Sequence, residues 1–270
     1  MRIDDVQHQY QTTDLLRIRV ETHQRYTEQP LDLDAECAAV LGLSGDEALL
    51  DVGCGPGAFL RYLRAQGHRG RLAGLDQSAA MLADAAALAD PAAPALEFHQ
   101  GVADALPFAD GEFSVVSARH MLYHVPDIPA ALRAFARVLA PGGVVLAVTN
   151  GPRNTPGIAD LEDAVAARFG LDPSPRTAEP FHTENAPAQL NAVFRTVRPT
   201  IRSSALVFTE PAPVVDYVMT LSVPQQAASD PALFAEIRAW LFDRATRQLA
   251  ARGGVWRDPK TVGLYRCLTD

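Results

Sequence analysis

A run of glycines after a short apolar stretch carries most of the chemistry this sequence can do: Leu49-Leu50-Asp51-Val52-Gly53-Cys54-Gly55-Pro56-Gly57. Glycine lets a backbone turn sharply and approach a ligand with no Cβ in the way. A helix that begins there aims its first N–H groups at the same ligand. Asp76 ends a second apolar stretch, where a carboxylate can accept hydrogen bonds from both hydroxyls of a ribose. That feature suits any adenosine cofactor. The glycine spacing is more selective. A dinucleotide fold seats a pyrophosphate with Gly-x-Gly-x-x-Gly, whereas this chain reads Gly-x-Gly-x-Gly and lacks a third glycine at that place. A nicotinamide-dependent oxidoreductase is disfavoured on that ground. A binding protein without turnover stays open.

Candidate bases are fewer. His120 and His124 follow the fourth apolar stretch, and imidazole is the usual proton acceptor near neutral pH. Arg119 stands at the end of that stretch, where its charge could orient an anionic substrate. Near the N-terminus, Arg19, His23 and Tyr26 stand at i, i+4 and i+7 and share one helical face. A solvated face with a hydrogen-bonded tyrosine explains that stripe equally well.

The elements that must position these groups follow from hydrophobic periodicity. Residues 4–27 read as a polar helix and 31–42 as an amphipathic one. Strands are expected at 48–52, 72–75, 96–99, 114–117 and 144–148, with helices at 58–65, 78–88 and 128–139 between them. Pro141-Gly142-Gly143 reads as the stop of the last of these helices. Short apolar strands alternating with helices imply an α/β fold, a Rossmann-like, doubly wound, mostly parallel sheet covered on both faces. Ligands then bind beyond the carboxyl ends of the strands. After Asn150 the pattern loosens: a helix over 158–169, strand-like alternation over 193–208, a long helix over 232–250 and a last strand over 261–267 that returns to the sheet.

Composition narrows the setting. The chain has 270 residues, 48% of them hydrophobic, enough for a buried core. Its net charge of −8, without a basic block, offers no attraction for nucleic acid. No apolar run approaches the roughly 20 residues of a membrane helix, and the polar N-terminus does not read as a signal peptide. Cys37, Cys54 and Cys267 are an odd, widely spaced set, which suggests neither a disulfide frame nor a zinc site and fits a cytoplasmic protein. Arg supplies nearly all the positive charge, and the sequence is rich in Ala. That bias is expected of a GC-rich bacterial genome.

Taken together, the motifs resemble those of the class I S-adenosylmethionine-dependent methyltransferases, particularly the type 11 small-molecule branch. The glycine motif is Asp51–Gly57. The ribose-binding acid is Asp76 in Gly74-Leu75-Asp76-Gln77-Ser78. The third motif is Gly101-Val102-Ala103-Asp104-Ala105-Leu106-Pro107-Phe108, followed by Asp110-Gly111-Glu112-Phe113. Met121-Leu122-Tyr123-His124-Val125-Pro126-Asp127 fits the stretch after strand four, and Arg137–Gly143 the turn into strand five. The resemblance covers about residues 48–150.

The resemblance implies S-adenosylmethionine as cofactor and a small-molecule methyl acceptor, with no metal, nucleic acid or membrane involved. Asp51, Gly53, Cys54, Gly55 and the Arg119 backbone would face the methionine part, and Asp76 with Gln77 the ribose. Met81 and Val102 would sandwich the adenine, with Ala103 and Asp104 at its edge. The family often has Asp after Gly101, where this chain has Val102, so Asp104 would either take over the adenine amino contact or be a surface residue. His120 is the candidate catalytic base; His124 matches a family histidine that looks structural. Arg19 and Tyr26 would belong to an N-terminal lid over the cofactor. The expected layout is one domain: lid 1–45, cofactor core 46–150, and cap insertions with final strands 151–270. The segments Phe181–Asn185 and Pro211–Leu221 would roof the substrate pocket, Tyr217, Met219 and Trp240 would line an apolar cavity or be plain core, and Glu184 would cap a helix.

Overall fold

β1 (Leu49–Val52) is buried at all four positions, as a strand covered by helices on both faces must be. In the computed structural model, which describes residues 13–90, 93–174 and 179–269, it belongs to a seven-stranded sheet. The other strands are β2 (Leu72–Asp76), β3 (Glu97–Gln100), β4 (Phe113–Arg119), β5 (Leu139–Asn150), β6 (Thr196–Phe208) and β7 (Trp256–Leu268). Their order is β3-β2-β1-β4-β5-β7-β6. β1 pairs in parallel with β2, Leu49 opposite Leu72, and with β4, Leu49 opposite Val115. β7 is antiparallel to β5, with Tyr265 opposite Ala147. The expected α/β, mostly parallel sheet is what forms, and the last strand does return to it. The strand order reverses between β1 and β4. That reversal opens a crevice at their carboxyl ends.

The helices, in chain order, are α1 (Thr13–Tyr26), α2 (Leu33–Leu41), α3 (Ala58–Ala65), α4 (Ala79–Ala87), α5 (Ile128–Val138), α6 (Pro156–Phe169), α7 (Ala186–Asn191), α8 (Pro211–Val218), α9 (Ser222–Gln225) and α10 (Pro231–Ala251). Residues 4–12 of the expected first helix lie outside the described residues. Several helices begin at a side-chain cap: Asp32 accepts from Ala35 N at 3.0 Å, and Asp127 from Ala130 N at 2.9 Å. Such caps satisfy amides that the helix itself leaves unpaired. No helix among the described residues is long and apolar enough to cross a membrane.

Two compact units emerge. One holds Asp32–Pro152, Ala178–Arg202 and Val262–Asp270 in its described part; the other holds the described part of Met1–Leu31 with Arg153–Thr177 and Ser203–Thr261. The sheet unit has two cores. Phe113, Leu132, Phe135 and Val145 belong to one, and Leu49, Phe59, Leu60 and Leu146 to the other. α2 belongs to this unit and not with the N-terminal lid to which the 1–45 boundary assigned it. Its Cys37 and Leu41 are buried in the second core. The helical unit has its own core, with Leu161, Val165, Phe208, Val218, Leu241 and Trp256.

The turn into β5 also differs from expectation. Pro141-Gly142-Gly143 falls inside the strand, not before it. Leu139 already pairs with Phe113, the ladder then shifts, and Val144 pairs with Val115. The intervening residues are a bulge, the usual answer when one strand carries extra residues.

In the helical unit the N-terminus of α6 has no side-chain cap of its own. Asp258 of β7 supplies one across about a hundred residues, accepting from Gly157 N and Ile158 N at 2.9 Å each. Asp258 is only 2% exposed. Asp258→Ala strands two buried amides, so the variant should lose about 2–3 kcal/mol of stability, read as a lower denaturant midpoint at unchanged slope.

Candidate active site

The glycine loop is clamped to the strand beside it. Gly53 N and Cys54 N both donate to Leu75 O, at 2.7 and 3.1 Å, and Gly57 N donates to Cys54 O at 3.0 Å. Gly53 has φ +68° and Gly55 φ +53°, in the left-handed region that costs other residues energy. The two glycines do different work. A Cβ on Gly53 would lie 2.7 Å from Met121 Cβ, whereas a Cβ on Gly55 would meet nothing within 4 Å. Gly53 is therefore a packing glycine, and Gly55 lines open space.

Asp76 braces that space. Its Oδ2 accepts from Gly55 N at 2.8 Å and its Oδ1 from Ser78 N at 2.9 Å. Each carboxylate oxygen retains a lone pair for a further donor. Gln77 follows, its carbonyl held by Gln100 Nε2 at 3.1 Å. The β3 end turns back on the same strand, since Gly101 N donates to Asp76 O at 3.1 Å. Met81 on α4 is buried, as is Ala103, but Val102 is 45% exposed. Asp104 is half-buried.

Asp51 lies beneath the loop, 1% exposed. Its Oδ1 accepts from Ser117 Oγ at 2.5 Å. Its Oδ2 is buried without a hydrogen-bond partner. Burial pushes the Asp51 carboxyl above the usual carboxylate range, with Arg119 and Ser117 pulling the other way. The Arg119 guanidinium turns inward. Nη1 donates to Asp34 Oδ1 at 2.6 Å, Nε stands 3.7 Å from Asp51 Oδ1, and the group lies over the Phe59 ring at 4.2 Å. The expectation that this charge orients an anionic substrate is corrected: two carboxylates neutralise it.

His120 follows directly, with φ +53°, a strained conformation for a non-glycine residue and one that clusters at functional sites. Its backbone N donates to Val148 O at 2.9 Å, which holds it at the rim of β4 and β5. His124 closes a 3-10 turn, its ring edge-on to Tyr123 at 4.5 Å. Asp51, Gly53, Cys54, Gly55, Asp76, Gln77, Val102, Ala103, Asp104, Arg119 and His120 thus lie on strand ends or the loops that follow them at one edge of the sheet. Met81 sits in the first turn of the helix after β2.

Arg19 and Tyr26 belong to the helical unit. Tyr26 packs on Phe208, ring centroids 5.1 Å apart, and lines a cavity of about 470 Å³ with Leu15, Ile18, Met219, Phe234 and Arg238. Arg19 is among the charges acting on the buried Glu162. Glu162 in turn accepts from Val223 N at 3.1 Å. Trp240 is edge-on to Phe169 at 5.8 Å. Glu184 does not cap α7; its own N–H donates to His182 Nδ1 at 3.2 Å.

A polar chain with no local signature in the sequence also runs through the helical unit. Lys260, the only lysine, donates to Thr27 Oγ1 at 2.7 Å and stands 3.0 Å from His23 Nδ1. His23 Nε2 is 3.2 Å from Tyr217 Oη. Desolvation lowers the lysine's pKa from 10.5 to about 8. Between about pH 8 and 10.5 the unfolded chain therefore binds more protons than the folded one, and stability contributed by this group rises with pH. Lys260→Met should remove that rise, seen as a flatter stability-against-pH curve than wild type's across this window.

Residues 50–147 match the family model described as a methyltransferase domain, type 11. The 2-phytyl-1,4-naphtoquinone methyltransferase of Thermosynechococcus vestitus is 45% identical over 95 residues, 35% of this chain and 42% of that protein. The ubiquinone biosynthesis O-methyltransferase of Sodalis glossinidius is 35% identical over 165 residues, 60% of this chain and 63% of that one. The chain spans less than half the length of the first curated relatives it matches. Among solved structures, a putative methyltransferase from Bacillus halodurans superposes with TM-score 0.58 at 19% identity, over 88% of this chain and 99% of that one. The [4+2]-cyclase SpnF does so with TM-score 0.55 at 19% identity, over 94% and 92%. Likeness at that identity establishes the fold alone. The identity with the curated relatives and the family match agree with the glycine loop and the sheet order, and over residues 50–147 the chain is similar to the methyltransferase domain family.

Proposed function

We propose that the protein transfers a methyl group from S-adenosylmethionine to an oxygen, nitrogen or carbon of a small molecule, without a metal. The observation that carries this reading is the open cradle at Gly55, with the Asp76 carboxylate on its N–H at 2.8 Å. The residues present fit such a cofactor. Asp76 has acceptor capacity left for two ribose hydroxyls. The buried, unmatched Oδ2 of Asp51 is an acceptor that an ammonium group would satisfy. Val102, apolar yet exposed, offers a face for the adenine ring, with Met81, Ala103 and Asp104 as its other contacts by family analogy.

The cofactor supplies an electrophilic methyl group, so the hard chemistry is not the protein's. The chain's part is to hold the acceptor in line, exclude water and take up a proton where the acceptor begins protonated. His120, at the rim of β4, is the residue assigned to that proton. The quinone-related names of the relatives support an acceptor that is a small ring compound. Three cysteines, none of them in a disulfide, support a cytosolic setting, and the net charge of −8 supports a partner other than nucleic acid.

A second reading is a protein of this fold that binds the cofactor and does not transfer its methyl group. Calorimetric titration with S-adenosylmethionine and S-adenosylhomocysteine decides the first question. Micromolar binding of both is expected; no binding of either by folded, cofactor-free protein overturns the proposal. Binding without transfer across a broad panel of phenols, amines and enolisable ring ketones would favour the second reading.

A further inference from the structure

We propose that Arg119 is a positioning residue that keeps Asp51 ionised and so controls how tightly the amino-acid end of the cofactor is held. The inference rests on the reading of the site given above. Its basis is geometric. Asp51 is 1% exposed and has one oxygen on Ser117 and one without a partner. The cation beside it is Arg119 Nε at 3.7 Å, held in place by Asp34 at 2.6 Å and by the Phe59 ring below.

The remaining titratable groups acting on Asp51 all oppose its charge. Asp34 on α2 and Asp76 on β2 push its pKa up, as does burial. The thiols of Cys37 and Cys54, both buried, interact with it and are themselves held protonated by burial. Without the guanidinium, a carboxylate in this surrounding takes up a proton more readily, because burial and the neighbouring carboxylates of Asp34 and Asp76 all disfavour its charge. A neutral carboxyl keeps its shape and its bond to Ser117 but no longer attracts an ammonium by charge. Arg119 would then act on the cofactor without touching it.

The test compares two ligands by calorimetry from pH 8 to pH 6. S-adenosylhomocysteine carries the amino-acid tail; 5′-methylthioadenosine has the same nucleoside without it. Wild type should bind S-adenosylhomocysteine with little change over this range. Arg119→Met should bind it progressively more weakly toward pH 6, by about tenfold per pH unit once Asp51 titrates, while its affinity for methylthioadenosine stays within about twofold of wild type. Equal losses for both ligands, or a loss that ignores pH, would show that Arg119 only holds the fold together and would overturn the proposal. Wild type that binds neither ligand would instead refute the cofactor reading, and this inference with it.

Removing one partner of a buried pair is costly to the fold as well, so a second variant is needed. Arg119→Lys, which keeps a positive charge, is that variant. Its point charge, on a shorter reach, should move the onset of the S-adenosylhomocysteine loss to higher pH than in wild type and leave methylthioadenosine unaffected; identical profiles would overturn the proposal.

Discussion

Gly53→Ala is expected to weaken S-adenosylhomocysteine binding by roughly 1,000-fold or more, about 4 kcal/mol. Two independent penalties act at this position. The backbone sits at φ +68°, which costs an L-residue on the order of 1–2 kcal/mol. The added methyl would also stand 2.7 and 2.8 Å from Met121 Cβ and Cγ. Those atoms are the root of the side chain, not its flexible end, so rotation of Met121 cannot relieve the clash. Overpacking of this kind costs roughly 1–3 kcal/mol. The loop cannot simply slide away either, because Gly53 N and Cys54 N are both tied to Leu75 O. Relief comes by moving Met121 and, with it, the neighbouring His120, or by breaking the clamp; either displaces the cradle. Titration calorimetry beside a thermal melt reads both effects, and affinity within tenfold of wild type would show that the loop is not so tightly determined.

Gly55 provides the contrast that separates a packing role from a ligand role. A Cβ there meets no atom within 4 Å, so Gly55→Ala should cost the fold only the strain of φ +53°, about 1 kcal/mol. The methyl would nevertheless project into the space assigned to the cofactor. A variant that melts close to wild type and binds S-adenosylhomocysteine poorly would separate the two glycines as the geometry does.

Much of this arrangement was legible in the sequence because the local pattern and the fold agree. Strands buried on both faces read as continuous apolar runs, and β1, β2 and β4 lie within a residue or two of the expected limits. The glycine loop could be placed because a tight turn from strand to helix needs particular residues at particular spacings. What local periodicity does not encode is the choice of distant partners. Asp34 is an ordinary acidic residue in the first turn of a helix, and nothing marks it as the partner of Arg119, 85 positions away. Asp258 carries no sign that it caps α6. Met121 over Gly53 is a fact of packing. α2 precedes the core in sequence and so reads as part of the lid, yet its buried Cys37 and Leu41 belong to the sheet unit. The turn into β5 differs for a related reason: proline and glycine signal a stop, but a bulge accommodates them without ending the ladder.

Asp76→Ala should weaken S-adenosylhomocysteine binding by about 100-fold or more, because one carboxylate performs two tasks. As an acceptor for ribose hydroxyls its loss leaves buried donors unpaired, at roughly 1–3 kcal/mol. As the brace of the glycine loop it also holds Gly55 N at 2.8 Å and Ser78 N at 2.9 Å, so the same substitution frees the cradle to move. Asp76→Asn distinguishes the two tasks. The amide oxygen can still accept from one backbone N–H, but the NH2 group presents donors where the other N–H already donates. Asn should therefore recover part of the melting temperature lost in the alanine variant while recovering little of the affinity. If Asp76→Ala binds S-adenosylhomocysteine as tightly as wild type, neither task belongs to Asp76 and the assignment of this edge of the sheet to an adenosine cofactor fails. If affinity and stability return together in Asp76→Asn, the carboxylate serves the loop alone, and the ribose must be held by other residues.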